Sequence, residues 1–149
     1  MNDLKVIDET SQFIVVSLGQ EQYGIDIRFV ENIVRMQHIT RVPKMPAYLK
    51  GVINLRGEVI PIMNLRLKMG LPDVEETKKT RIIIIKMEQC GSIGLIVDEV
   101  KEVVTLDMEA EVEKMAFDKD DRNNYVSGVG KHGDGLISLL DLNAVTAEK

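Results

Sequence analysis

The sequence predicts an all-β fold with a few short helices, built as two similar lobes of small-barrel type. The first observation behind this is Tyr48 to Leu65, YLKGVINLRGEVIPIMNL, where two β-branched arms flank Arg56-Gly57-Glu58. Gly57 tolerates the positive φ of a tight turn, so the arms read as a hairpin. The second is that much of this pattern recurs 77 positions later (125 against 48) in YVSGVGKHGDGLISLLDL. Tyr48 falls on Tyr125, Gly51 on Gly128, Ile60 on Ile137, Ile62 on Leu139 and Asn64 on Asp141. The third is a matching echo in the preceding segments, at a shift of 70 (94 against 24). Gly24 falls on Gly94, Ile27 on Val97, Val30 on Val100, Ile33 on Val103 and Val34 on Val104. Two motifs occur twice in the same order, which predicts two lobes, each built from one copy.

In chain order, residues 1–11 read as a polar, flexible leader and 12–72 as the first lobe. Phe13 to Leu18 is a strand ended by Gly19, and Gln22 to Ile27 is its hairpin partner. From Asp26, a fair N-cap, the apolar period changes: Ile27, Val30, Ile33 and Val34 would share one face of a short helix. His38 to Val42, before Pro43, looks extended. Asn64 caps a brief helix, LRLKM, which Gly70 and Pro72 terminate. The charge-rich residues 73–79 are the expected connection between lobes, and 80–140 the second lobe. There, Ile82 to Ile85 cannot alternate in and out, so both faces of that strand should be buried. Ile93 to Val97 and a second helix or bent strand, Asp98 to Leu106, follow. Then come a long acidic loop with one helical turn at Met108 to Val112, the second hairpin, and a C-terminal helix capped by Asp141 within 141–149.

Composition removes several classes of function. A net charge of −5 gives no basic footprint for nonspecific nucleic-acid binding, and 4% aromatics with no Trp leave no base-stacking platform. The N-terminal stretch MNDLKVIDETSQ lacks an apolar signal core, no run has the length of a membrane span, and a lone cysteine, Cys90, suits a reducing compartment. These features read as a soluble, cytoplasmic protein. Gly128-Val129-Gly130-Lys131-His132-Gly133 matches the dinucleotide fingerprint in letters only, because a strand follows it and not a helix. His38 and His132 have no acid or cysteine at ligand spacing, and no serine or cysteine is set up as a nucleophile. The residues therefore predict no catalytic group, no metal and no cofactor. What remains is surface: the equivalent apolar sets Ile27, Val30, Ile33 and Val97, Val100, Val103 are either core or the lining of a groove between lobes. Aliphatic residues in such a groove would suit an amphipathic partner helix.

The segments YGIDIRFVENIV, VPKMPAYLKGVINLRGEVIPIMNLR and GLIVDEV closely resemble the CheW-type coupling proteins of bacterial chemotaxis, from about Phe13 to Leu142. The resemblance implies two SH3-like five-stranded barrels packed around a shared core. It also implies a non-catalytic scaffold that couples the cytoplasmic tips of chemoreceptors to the regulatory domain of the histidine kinase CheA, recruited to membrane receptor arrays. Carried onto this chain, the receptor-binding groove would be Ile14, Ile27, Val30, Ile33, Val100 and Val103. Arg56 and Gly57 would form a functional turn, and Ile39, Val42 and Phe117 would face the kinase. Phe117 stands alone among Asp118, Lys119, Asp120 and Asp121, as an interface anchor or as a tucked-in pin of its loop. One departure is Asn32, where the family often has glutamate; here Glu31 stands one place earlier. A small-molecule sensor using the inter-lobe cleft is the alternative reading.

Overall fold

The computed structural model describes residues 10–114 and 125–147, in which eleven strands and two short helices are formed. In chain order these are β1 (Thr10–Leu18), β2 (Glu21–Asp26), β3 (Val30–Arg35), β4 (Leu49–Leu55), β5 (Glu58–Asn64) and α1 (Leu65–Lys68). They are followed by β6 (Arg81–Met87), β7 (Gly91–Val97), β8 (Glu99–Asp107), β9 (Val112–Lys114), β10 (Val126–His132), β11 (Gly135–Leu140) and α2 (Leu142–Thr146). One sheet has the order β3-β6-β7-β5-β4, the other β8-β1-β2-β11-β10-β9.

The two sheets belong to two units, but not to the halves expected from the repeat. One unit is Phe29–Val100; the other joins residues 10–28 to the described part of 101–147. The expected lobes, 12–72 and 80–140 with a connection at 73–79, are thus corrected: the chain changes unit at 28/29 and again at 100/101. The reason lies in two parallel pairings. β5 of the first hairpin pairs with β7 (Ile62↔Gly94), and β11 of the second pairs with β2 (Leu139↔Gly24). Each hairpin therefore joins the copy of the Gly24/Gly94 motif other than the one immediately before it in sequence. Both glycines stand at close approaches, where an added Cβ would force neighbouring side chains to shift. A Cβ at Gly94 would lie 2.6 Å from Ile62 Cδ1, and one at Gly24 would lie 2.9 Å from Leu139 Cδ2.

The repeat is physical down to its hydrogen bonds. Asn64 Oδ1 accepts the N–H of Leu67 at 3.2 Å, capping α1, and Asp141 Oδ1 accepts that of Ala144 at 3.2 Å, capping α2. The N–H of Asn64 donates to Tyr48 O at 2.7 Å, that of Asp141 to Tyr125 O at 2.8 Å. The register of each hairpin shifts at its equivalent glycine, Gly51 and Gly128. Arg66 of α1 grips Asp98 with two hydrogen bonds, Nε to Oδ1 at 2.8 Å and Nη2 to Oδ2 at 2.7 Å.

In the Phe29–Val100 unit, β3 and β4 lie at opposite ends of the sheet. The chain leaving β3 returns, and Thr40 bridges to Val52 of β4 through N–H···O bonds of 2.8 and 2.9 Å, closing a small barrel. The other sheet uses the same device, with β9, downstream of β8, pairing with β10 at the far end. Ile53, Ile60, Ile62, Ile82 and Ile84 form the first core, with Val34 and Ile39 packed against it. Phe13, Val15, Val104, Leu106, Ile137 and Leu139 form the second. All four isoleucines of β6 are buried, as their unbroken run predicts.

Asp73 fastens the segment after α1. It accepts from Lys50 Nζ at 3.0 Å, Asn64 Nδ2 at 3.0 Å and its neighbour Val74 N at 2.9 Å. The Lys50 hydrogen bond is the main cause that holds this carboxyl below the usual carboxylate range. A depressed folded-state pKa stabilises the fold above the unfolded value, about 3.9, and that contribution is lost as pH falls through the folded value. Asp73→Asn is therefore expected to lower Tm by about 1–2 °C above pH 5, a small shift because the pair is solvent-screened. The difference from the parent should vanish in a melting series taken down toward pH 2.

Candidate functional site

The six aliphatic residues expected to line a groove do not share one fate. Ile14 is 4% exposed and pairs with Ile25 inside the sheet, so it offers no docking surface. Its strand, β1, has a neighbour on each side and is buried on both faces from Phe13 to Val16, which removes Ile14 from the groove set. Ile27, Val30 and Val100 are half-buried, whereas Ile33 is 38% and Val103 51% exposed. Ile33 and Val103 occupy repeat-equivalent places on β3 and β8, each the edge strand of its sheet.

The expected helix from Asp26 is replaced by a single 3-10 turn, Ile27–Phe29, running into β3. Asp26 still caps, accepting the N–H of Arg28 at 2.9 Å. Burial pushes the Asp26 carboxyl up, but its hydrogen bonds and charge contact with Arg28 outweigh that and hold it low. The three-residue spacing that resembled a helix has two other causes. In a 3-10 turn residues i and i+3 eclipse, which aligns Ile27 with Val30. β3 then carries a bulge at Glu31: Val30 opposes Ile85, Asn32 opposes Ile84 and Ile33 opposes Ile83. The extra residue re-phases the strand, so Val30 and Ile33 share the face of Ile85 and Ile83. Asn32 turns to the Ile84 side and accepts the Ile33 N–H at 2.8 Å, while Glu31 accepts from Ser92 Oγ at 2.9 Å. Val30, Ile33 and Val100 belong to one unit, Ile27 and Val103 to the other.

The turn Arg56-Gly57 joins Leu55 to Glu58 with two residues, both left-handed: φ is 52° at Arg56 and 85° at Gly57. That is the type I′ pattern, whose first position favours Asn, Asp or Gly. An arginine in that conformation costs about 1–2 kcal/mol. In the second hairpin the place of Arg56 is taken by Gly133, at φ 60°.

Ile39 is half-buried against the barrel core, and Val42 is half-buried at the start of the exposed loop leading to β4. Phe117 lies outside the described residues. Sequence reasoning missed Val59 and Leu136, each 62% exposed, just past the two hairpin turns. They too are 77 positions apart (136 against 59), so the repeat already held the signal: each is the outward neighbour of an equivalent core residue, Ile60 or Ile137. Among the described residues no group of three or more His, Cys, Asp or Glu is placed to hold a metal ion, and no helix is long and apolar enough to cross a membrane.

Comparison with known proteins gives the family of the chain. The family described as the CheW-like domain matches residues 12–149. The chain belongs to the CheW-like family. Curated CheW relatives include the chemotaxis protein CheW of Bacillus subtilis, 37% identical over 90% of this chain and 85% of that one. Another is the chemotaxis protein CheW of Helicobacter pylori, 33% identical over 93% of this chain and 82% of its own length. Among solved structures, the scaffolding protein TtCheW from Thermoanaerobacter tengcongensis superposes with a TM-score of 0.81. It is 34% identical, with 88% of each chain covered. The CheW-like fold accounts for the two β-rich sheets with few short helices, and family members are non-catalytic adaptors.

Proposed function

We propose that this protein is the non-catalytic scaffold that couples chemoreceptor cytoplasmic tips to the regulatory domain of the kinase CheA. In this reading it works at membrane-associated receptor arrays. The observation that carries this is the pair of exposed aliphatic residues, Ile33 and Val103, at equivalent places on the edge strands of the two sheets. Ordinary surfaces hold single apolar residues without consequence, but here the repeat and the β3 bulge present them in a pattern. Ile27, Val30, Ile33, Val100 and Val103 receive apolar side chains of the receptor hairpin; Arg56 and Gly57 form a functional turn; Ile39, Val42 and Phe117 face the kinase.

Each aliphatic side chain fully buried on binding contributes about 1.5–3 kcal/mol gross. Lost rigid-body freedom and side-chain ordering offset much of it, so binary contacts are weak. Engaging receptor and kinase together raises effective concentration, and the assembly becomes stable as a ternary complex. The test is calorimetry of the full chain with a receptor-tip fragment and with the CheA regulatory domain, separately and together. Binding to both, tighter in the ternary mixture, is the expected result. Ile33→Asp is the cleaner probe because its side chain is already partly in water, with half-buried Val30→Asp as companion. Both variants should weaken receptor binding by at least about tenfold, since each puts a charge in a desolvated contact. Full receptor affinity in Ile33→Asp would remove β3 from the interface.

A further inference from the structure

The stretch Arg35 to Lys50, RMQHITRVPKMPAYLK, carries four of the chain's 19 lysines and arginines and none of its 24 acids. It is a positive strip on a chain of net charge −5. In the Phe29–Val100 unit the strip runs from the end of β3 to the start of β4, and its middle forms a depression of about 230 Å³. Arg41, Val42, Lys44, Met45 and Lys50 are among its lining residues. Lys50 is spoken for by Asp73 at 3.0 Å, while exposed Arg41 and Lys44 make no ion pair among the described residues. The loop is held in shape. Thr40 is bonded to Val52 at one end, Leu49 N–H donates to Pro46 O at 3.0 Å at the other, and Pro43 and Pro46 restrict the backbone between. Lys44 sits at φ 66°, a left-handed conformation that glycine or asparagine would adopt at less cost. A lysine there, in a loop already stiffened, starts its side chain from a restricted backbone position.

We propose that this loop is a carboxylate-receiving surface, with Arg41 and Lys44 as its cations and Val42 and Met45 as its apolar floor. Its occupant is an acidic segment of the kinase partner, interspersed with apolar residues; this rests on the kinase-facing reading of Ile39 and Val42. Charge at such a rim sets the rate of encounter more than the lifetime of the complex, because it acts before the partners touch. The aliphatic residues hold the partner once it has docked.

The experiment is surface-plasmon kinetics of the full chain on the CheA regulatory domain at 50 and 500 mM NaCl, with the receptor-tip fragment as control. For the parent, the association rate should fall roughly tenfold across that salt range. Arg41→Glu with Lys44→Glu should lower it by roughly tenfold at 50 mM and flatten its salt dependence, leaving the receptor-tip rate unchanged. Arg41→Gln with Lys44→Gln removes charge without adding any and should fall between parent and reversal. Ile39→Asp separates the proposal from the reading beneath it. If Ile39→Asp loses kinase binding but keeps the parent's receptor-tip rate, while both charge variants keep the parent's kinase rate and salt slope, the carboxylate surface is overturned and the kinase-facing reading stands. If none of the three variants changes kinase binding, both fall. A loss that is equal in the Gln and Glu pairs, with no grading by charge, also overturns the proposal.

Discussion

Gly51→Ala is expected to destabilise the protein by about 3 kcal/mol or more, a large share of the roughly 5–15 kcal/mol that holds an ordinary domain folded. A Cβ at Gly51 would lie 2.1 Å from Thr40 O and 2.8 Å from Thr40 C, both backbone atoms that cannot rotate away. The φ of 141° at Gly51 adds conformational strain to any L-residue placed there. The clash falls on the bridge that closes the barrel, since Thr40 N–H donates to Val52 O and Val52 N–H to Thr40 O. Relief requires giving up both bonds or distorting β4. Gly57→Ala is the matched control: its φ is 85°, but nothing lies within 4 Å of an added Cβ. It should cost only about 1–2 kcal/mol, the left-handed penalty alone. Urea unfolding of both variants measures the difference, with m-values checking that the denatured state is unchanged. A Gly51→Ala loss no larger than that of Gly57→Ala would mean that the Thr40 bridge contributes little to closing the sheet.

Much of this architecture was legible in the sequence because it rests on local physics. The Arg56-Gly57 and Gly133-Asp134 turns, the caps at Asn64 and Asp141 and the doubly buried run Ile82 to Ile85 all follow from a few adjacent residues. Which copies pair did not follow. The repeat identifies Gly24 and Gly94 as equivalent, but the close approach of Gly94 to Ile62, and of Gly24 to Leu139, is decided by parallel pairings across long sequence separations. The spacing of Ile27, Val30 and Ile33 misled for a different reason. A 3-10 turn followed by a bulged strand produces the same three-residue recurrence as a helix, and only hydrogen-bond register tells them apart. At the candidate site, Ile33 and Val103 are exposed, whereas Ile14 is buried in the core because burial on a strand depends on its neighbours. Val59 and Leu136 show the converse, since the repeat contained them and alternation from Ile60 and Ile137 places them outward.

Arg56→Asn is expected to make the protein more stable and a poorer coupler. The chain supplies its own comparison, because the equivalent place in the second hairpin is filled by Gly133, a residue that adopts positive φ without steric cost. Arg56 has the left-handed φ of 52° in the first position of a turn that Asn-Gly would satisfy better. Relieving that strain should contribute about 0.5–1 kcal/mol, raising Tm by about 1–4 °C. If the turn serves only to reverse the chain, the substitution improves it and nothing else changes. If it serves the proposed coupling role, the guanidinium's fork of donors is lost, and with it charge-assisted bonds to a partner that asparagine cannot replace. The decisive assay reconstitutes receptor, kinase and this protein and follows kinase output beside a melting curve. A higher Tm with receptor control of the kinase reduced at least about tenfold assigns the strain at Arg56 to function. A higher Tm with unchanged control would make Arg56 an ordinary solvated turn residue, retained at a cost that the rest of the barrel tolerates.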